Sequence, residues 1–210
     1  MKYRFLSGNA IKILGAVTMV IDHIGYILFP GVEIFRIIGR LSFPLFAFMI
    51  SEGARYTKNR LRYLLTMAAF GVVCQLPVIL LLQEYHFNVF VTFTLSILGI
   101  YACDFLKKQA FASKKEPFPI FLGSLAVLSA LALTMVLTSN SNFHIDYGFF
   151  GVMMPVFASL LSTRNIDNAP SALVRLDTLP VRILCMLIPA IALSYQIGDI
   201  QWLSLCSFPC

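Results

Sequence analysis

The chain has 210 residues, is 59% hydrophobic and only 12% charged, and carries a formal net charge of +6. A soluble domain is nearer half apolar and about a quarter charged, so this balance excludes an ordinary soluble enzyme and places the chain among membrane proteins. The positive charge falls in short loops between apolar runs, which argues against nucleic acid as a partner and makes the lipid bilayer the first partner to consider.

In chain order, about seven apolar segments are expected, near residues 11–30, 34–54, 61–82, 88–106, 118–138, 147–163 and 180–198. Each is close to the roughly 17–25 residues that cross hydrocarbon. None alternates as a barrel strand does, so helix is the state that satisfies the backbone in lipid. The expected fold class is therefore all-α, a polytopic integral membrane bundle forming a single domain over 1–210. The first segment mimics a signal peptide, with Lys2, Arg4 and Lys12 ahead of an apolar run. It lacks a small-residue cleavage site and contains Asp22 and His23, so a retained first helix is expected.

The loops set the orientation. With a cytoplasmic N-terminus, fourteen of the sixteen Lys and Arg residues lie on the inner side: the N-terminal three, Arg55 to Arg62, Lys107 to Lys115, and Arg164, Arg175 and Arg182. The outer connections "PGVE", "QEYHF" and "SNSNFHID" carry none. The segment "RNIDNAPSALVRLDTLP" reads as a long, mobile polar linker, and "QWLSLCSFPC" as an apolar end too short to span, with Trp202 as an interfacial anchor. Cys74, Cys103 and Cys185 sit in apolar runs and read as packing residues. Cys206 and Cys210 lie near the C-terminus, where nothing in the sequence decides whether they pair.

The two basic residues left over are Arg36 and Arg40, within the second apolar segment. Placing Arg at a helix centre costs about 2.5–3.5 kcal/mol on insertion scales, so the folded state must offset it. The hairpin turn falls near residues 31 and 32. At ~1.5 Å per residue, Asp22, His23 and Arg40 share one level, ~13 Å below the turn. Arg36 stands one turn above Arg40 on the same face, and pairing with Asp22 makes this burial tolerable. A packing salt bridge explains Asp22 and Arg40 but needs neither His23 nor a second Arg. Ionisable groups inside a membrane point by default to function, either an enzyme or a proton-coupled transporter or channel. A metal site is disfavoured, because no cluster of His and carboxylate ligands falls at this depth. Further candidates for substrate contact are Glu52, near the inner end of the second segment, Asn88, and Asp146 and Tyr147 at the outer mouth.

Four stretches, "IKILGAVTMVIDHIG", "RIIGRLSFPLFAFMISEGARYTKN", "FNVFVTFTL" and "DYGFFGV", together resemble the TraX family of bacterial integral membrane proteins over roughly residues 9–163. That family is named for a conjugative-pilin N-acetylase and is grouped with the transmembrane acyltransferases, which carry a basic residue, ten residues, then histidine on the first helix. Lys12 and His23 have that spacing here. The resemblance implies a multi-pass protein of the bacterial cytoplasmic membrane with acetyl-CoA or another acyl-CoA as donor; the residues themselves point to no metal. It implies His23 as catalytic base, with Lys12 engaging the donor, and Asp22 and Arg40 in the D-H and G-R pairs beside it. The acceptor, a peptide, sugar or lipid amine or hydroxyl, would be acylated on the extracytoplasmic side. Where chromosomal relatives often carry an acid, this chain reads Cys74-Gln75-Leu76-Pro77.

Overall fold

A computed structural model describes residues 8–29, 31–39, 41–77, 79–80, 86–111, 144–166 and 169–197. The expected fifth span at 118–138, Arg40, the basic residues Lys2, Arg4, Lys114 and Lys115, and the C-terminal stretch with Trp202, Cys206 and Cys210 lie outside them, as does the side chain of Arg36.

The described residues form eight helices: α1 (Gly8–Leu28), α2 (Glu33–Gly39), α3 (Ser42–Tyr56), α4 (Arg60–Pro77), α5 (Val89–Phe111), α6 (Gly148–Ser159), α7 (Ser171–Leu176) and α8 (Leu179–Ile197). The one extended feature among them is a parallel two-residue pairing of β1 (His86–Phe87) with β2 (His144–Ile145), joining two connections. The fold is all-helical in substance, as expected. Two stretches, Ile37–Tyr56 and Val89–Phe111, are long and apolar enough to cross a bilayer, and Gly148–Ser159 and Leu179–Tyr195 are shorter apolar helices.

The second expected segment is divided. Leu41 forms a turn between α2 and α3. Gly39 is a poor helix former, and Pro44 has no N–H to donate to the carbonyl four residues earlier, so a straight run through "GRLSFP" would lose a rung. Restarting the helix at Ser42 puts the proline in its first turn, where no N–H is needed. The sixth segment is likewise shorter than expected, with α6 ending at Ser159 and the chain turning through Leu160 and Ser162.

α6 sits at the centre, packed against α3, α5 and α8. Its sequence "GFFGVMMPVFAS" is apolar on every side, which is the pattern of a helix surrounded by others, and eight of its twelve residues are buried. The core joins Phe43, Ala47, Phe93, Ile97, Met154 and Leu193 from α3, α5, α6 and α8. α4 closes on α3 where the Tyr63 ring lies against Gly53, a position that has no room for a side chain.

The connection between α6 and α8 departs from the mobile linker expected. Asp177 Oδ2 accepts from the Thr163 amide at 3.0 Å and the Thr163 hydroxyl at 3.1 Å. Asn165 donates to Asp104 at 3.2 Å, Ile166 is buried, and the Arg164 guanidinium lies 4.1 Å from the Tyr56 ring centre. Lys107 Nζ donates to the carbonyls of Leu160 and Ser162 at 3.3 and 3.0 Å, giving the end of α6 a cationic cap.

Candidate functional site

The expected hairpin is present, with α1 antiparallel to α2 and α3. Gly25 lies against Phe35, Asp22 against Gly39, and Gly15 against Phe46, all in one register. Small residues on this face of α1 let the helices approach closely. A methyl group at Gly39 would collide with the Asp22 side chain, so the carboxylate is pressed onto the end of α2. Asp22 therefore stands level with Gly39, the described member of the G-R pair.

His23 is the next residue and faces elsewhere, because successive helical residues diverge by about 100°. Lys12, Ala16, Met19, Val20, His23 and Ile27 are all exposed and form the face of α1 opposite its packing face. Eleven residues turn the helix by about 20° beyond three full circles, so Lys12 and His23 lie along one stripe, ~16.5 Å apart. His23 Nδ1 is 2.9 Å from the Met19 carbonyl oxygen. A carbonyl only accepts, so Nδ1 carries the hydrogen and, in the neutral ring, Nε2 keeps its lone pair.

The other candidates fall in separate places. Asn88 caps α5, its Oδ1 accepting from the amides of Phe90 and Val91 at 3.1 and 3.3 Å, while Nδ2 donates to the Gly71 carbonyl at 2.8 Å. Its own amide donates to Gln75 Oε1 at 3.0 Å, so this residue ties α4 to α5. Asp146 is exposed, and its carbonyl accepts from the Thr92 hydroxyl at 2.7 Å. Tyr147 adopts a left-handed backbone (φ 65°), unusual for a residue with a side chain, and its ring stacks on Phe43 with centres 3.7 Å apart. Both belong to the end of the bundle where β1 meets β2.

Glu52 belongs to a network that sequence reasoning only partly found. Arg182, expected in an inner loop, is 2% exposed and lies within α8. Its Nη1 pairs with Glu52 at 2.5 Å, its Nη2 donates to the Ser51 hydroxyl at 3.1 Å, and its Nε donates to the Ala158 carbonyl at 2.9 Å. Arg55 adds a looser contact to Glu52 at 3.8 Å and a close one to Asp177 at 2.7 Å. A second group gathers on Asp104, which is paired with Arg60 at 2.7 Å and Lys107 at 3.2 Å. The available signal was that Arg182 is the one charged residue in α8 and Asp104 the one acid in α5. Counting Arg182 toward loop charge hid it.

Two grooves lie along α4. One, of about 530 Å³, is lined by residues including Asn59, Arg62, Leu65, Phe70 and Val73; the other, of about 250 Å³, lies against α5 and is lined by Gly71, Gln75, Phe87 and Val91. Neither includes a residue of α1.

The molecule is thus an all-helical protein with bilayer-length apolar helices, a glycine-packed opening hairpin and ionisable groups on it. The TraX protein family matches residues 7–207, and the chain belongs to that family. The match reaches well beyond the 9–163 in which the motifs are evident, taking in the network around Asp177 and Arg182. The uncharacterized protein RP591 of Rickettsia prowazekii (strain Madrid E) is 34% identical over 77 residues, which is 37% of this chain and 29% of that protein. The matched stretch therefore spans less than a third of that relative's length. No solved structure matches the chain.

Proposed function

We propose that this protein is a membrane-embedded acyltransferase, a bundle of about seven transmembrane helices in the bacterial cytoplasmic membrane with its N-terminus inside. It moves an acyl group, acetyl in the simplest case, from cytoplasmic acyl-CoA to an amine or hydroxyl at the extracytoplasmic side. The observation that carries this reading is the hydrogen bond from His23 Nδ1 to the Met19 carbonyl, on the same exposed stripe of α1 as Lys12. It leaves Nε2 as a base facing away from the packed hairpin.

The stripe fits the donor in length and charge. An extended pantetheine arm is on the order of 16 Å by summed bond lengths, close to the ~16.5 Å separating Lys12 from His23 along the helix. Lys12 would hold a phosphate while the thioester carbon comes to His23. Nε2 takes the proton from the acceptor N–H or O–H, and the freed nucleophile attacks the thioester carbonyl. The C–S bond then breaks, and the imidazolium returns its proton to the leaving thiolate, giving acylated acceptor and free CoA. General-base assistance of this kind contributes about 10²–10⁴ in rate. Arg40, or Arg36, is assigned to the oxyanion, since fixed positive charge acts strongly in a water-poor site. Asp22 is assigned to holding the guanidinium rather than the imidazole, because it faces α2.

The test is acyl transfer from labelled acetyl-CoA by the purified protein in nanodiscs, across a panel of amine and hydroxyl acceptors. Wild type should transfer label and His23→Ala should not, with donor binding kept. Equal turnover by His23→Ala would end the assignment. Absence of any acyl-CoA binding would favour the rival reading, a proton-coupled transporter or channel built on the same Asp, His and Arg residues.

A further inference from the structure

The contact between Arg55 and Asp177 is made with one arm on each side. Arg55 Nη2 donates to Asp177 Oδ2 at 2.7 Å, yet among the described residues Arg55 Nε and Asp177 Oδ1 are both buried without a hydrogen-bond partner. The Asp177 side chain is 6% exposed and that of Arg55 14%. A guanidinium and a carboxylate normally meet through two parallel hydrogen bonds. Leaving a buried donor and a buried acceptor orphaned in the same pair is unfavourable, because each has lost its water and gained no partner. This pair therefore holds two groups that a better-fitting anion on Arg55 and water on Asp177 would satisfy.

The surroundings specify the anion. Arg55 stands at the end of α3, beside Tyr56, whose ring also carries the Arg164 guanidinium at 4.1 Å, and Lys58 is exposed two residues further on. Arg55 also lies 3.8 Å from Glu52, which pairs with Arg182, so Arg55, Arg164, Lys58 and Arg182 stand against Glu52 and Asp177; positive charge is in excess, and a tetrahedral anion with several oxygens can use both arms of Arg55 at once. Asp177 also holds Thr163 through its amide and hydroxyl, so its release would untie the two limbs of the α6–α8 connection, 160–166 and 169–178.

We propose that Arg55, with Arg164 and Lys58, is a binding site for a phosphate-bearing ligand, that Asp177 occupies it in the resting state, and that ligand binding exchanges the carboxylate for the phosphate and frees the connection. This rests in part on the acyltransferase reading, in which the nucleotide end of the donor supplies the phosphates. An anionic phospholipid headgroup presents the same chemistry.

The experiment uses the full chain in nanodiscs, reading hydrogen exchange at Thr163 and along α7, together with CoA affinity. One set of discs is zwitterionic, with and without CoA; a second contains phosphatidylglycerol and no CoA. Exchange should rise several-fold with the effective anion. Asp177→Asn should tighten its binding by about tenfold, the scale of one charge-assisted hydrogen bond no longer competed for. Arg55→Gln should weaken it by at least as much, and Arg55→Lys, which keeps the charge and loses the fork, serves where Arg55→Gln fails to fold. A response to CoA supports the site with the acyl donor as ligand. A response to phosphatidylglycerol alone, with no CoA binding anywhere, supports the site and removes the acyltransferase reading. If Asp177→Asn loosens the connection but leaves anion affinity unchanged, or if neither anion alters exchange in the wild type, the proposal is overturned and the pair is only a structural tie.

Discussion

Replacing Arg182 with methionine is expected to be among the most damaging single changes at the end of the bundle where α3, α6 and α8 meet. The side chain is 3% exposed and spends its three nitrogens on two other helices: Nη1 on Glu52 and Nη2 on Ser51, both of α3, and Nε on the Ala158 carbonyl of α6. It also lies 5.6 Å from the Phe48 ring centre. Methionine restores the volume and none of the hydrogen bonds. Glu52 then keeps only the distant Arg55 contact, and Ala158 loses a donor in a buried place. Breaking a buried ion pair from one side costs about 3–5 kcal/mol, mostly for the charge left behind. Equilibrium unfolding in mixed micelles measures this directly. The same principle requires that Glu52→Gln rescue part of the loss, because it removes the stranded charge. The double variant should be more stable than the summed single losses by at least about 1 kcal/mol. An Arg182→Met protein within about 1 kcal/mol of wild type, or strictly additive losses, would refute the argument that this network is held by mutual neutralisation.

Other changes follow from the same contacts. Gly39→Ala should cost about 1–3 kcal/mol by forcing α2 away from Asp22, while Gly31→Ala, where a side chain meets nothing within 4 Å, should show no steric loss in the same unfolding assay. Asn88→Ala should lose about 1–2 kcal/mol from the α5 cap, and its hydrogen exchange should rise along the start of α5 and at the residues of α4 that it ties down. On the acyltransferase reading, His23→Ala should reduce acyl transfer by about 10²-fold or more with unfolding unchanged, since the ring bonds only its own helix among the described residues.

The opening hairpin was legible because its information is local. The turn, the depth of Asp22 and the antiparallel register follow from helix rise and from glycines placed on one face. The division between α2 and α3 was also written in "GRLSFP", but hydropathy averages over it; the proline's missing donor is visible only when each backbone bond is traced. The inner network was less legible for a different reason. Arg182 pairs with Glu52, 130 positions earlier, and Asp177 with Arg55, 122 positions earlier. No spacing rule links residues so far apart, and a charge near a helix end satisfies the loop-counting rule whether it faces water or the core. The polar composition of "RNIDNAPSALVRLDTLP" suggested mobility for the same reason, although Asn165 and Asp177 use that polarity to fasten the segment, to Asp104 and to Thr163 just before it. Asn88 stood out as a polar group between apolar runs, and its work turned out to be capping and tying.

The brevity of α6 has a consequence for where chemistry could occur. Twelve residues rise only ~18 Å, against a hydrocarbon thickness of ~30 Å. A column of that length does not reach across a bilayer by itself. The turn through Leu160 and Ser162 continues from its end, capped by the Lys107 ammonium, which also pairs with the buried Asp104 carboxylate. On the acyltransferase reading, a donor would meet polar groups instead of hydrocarbon over that remaining depth.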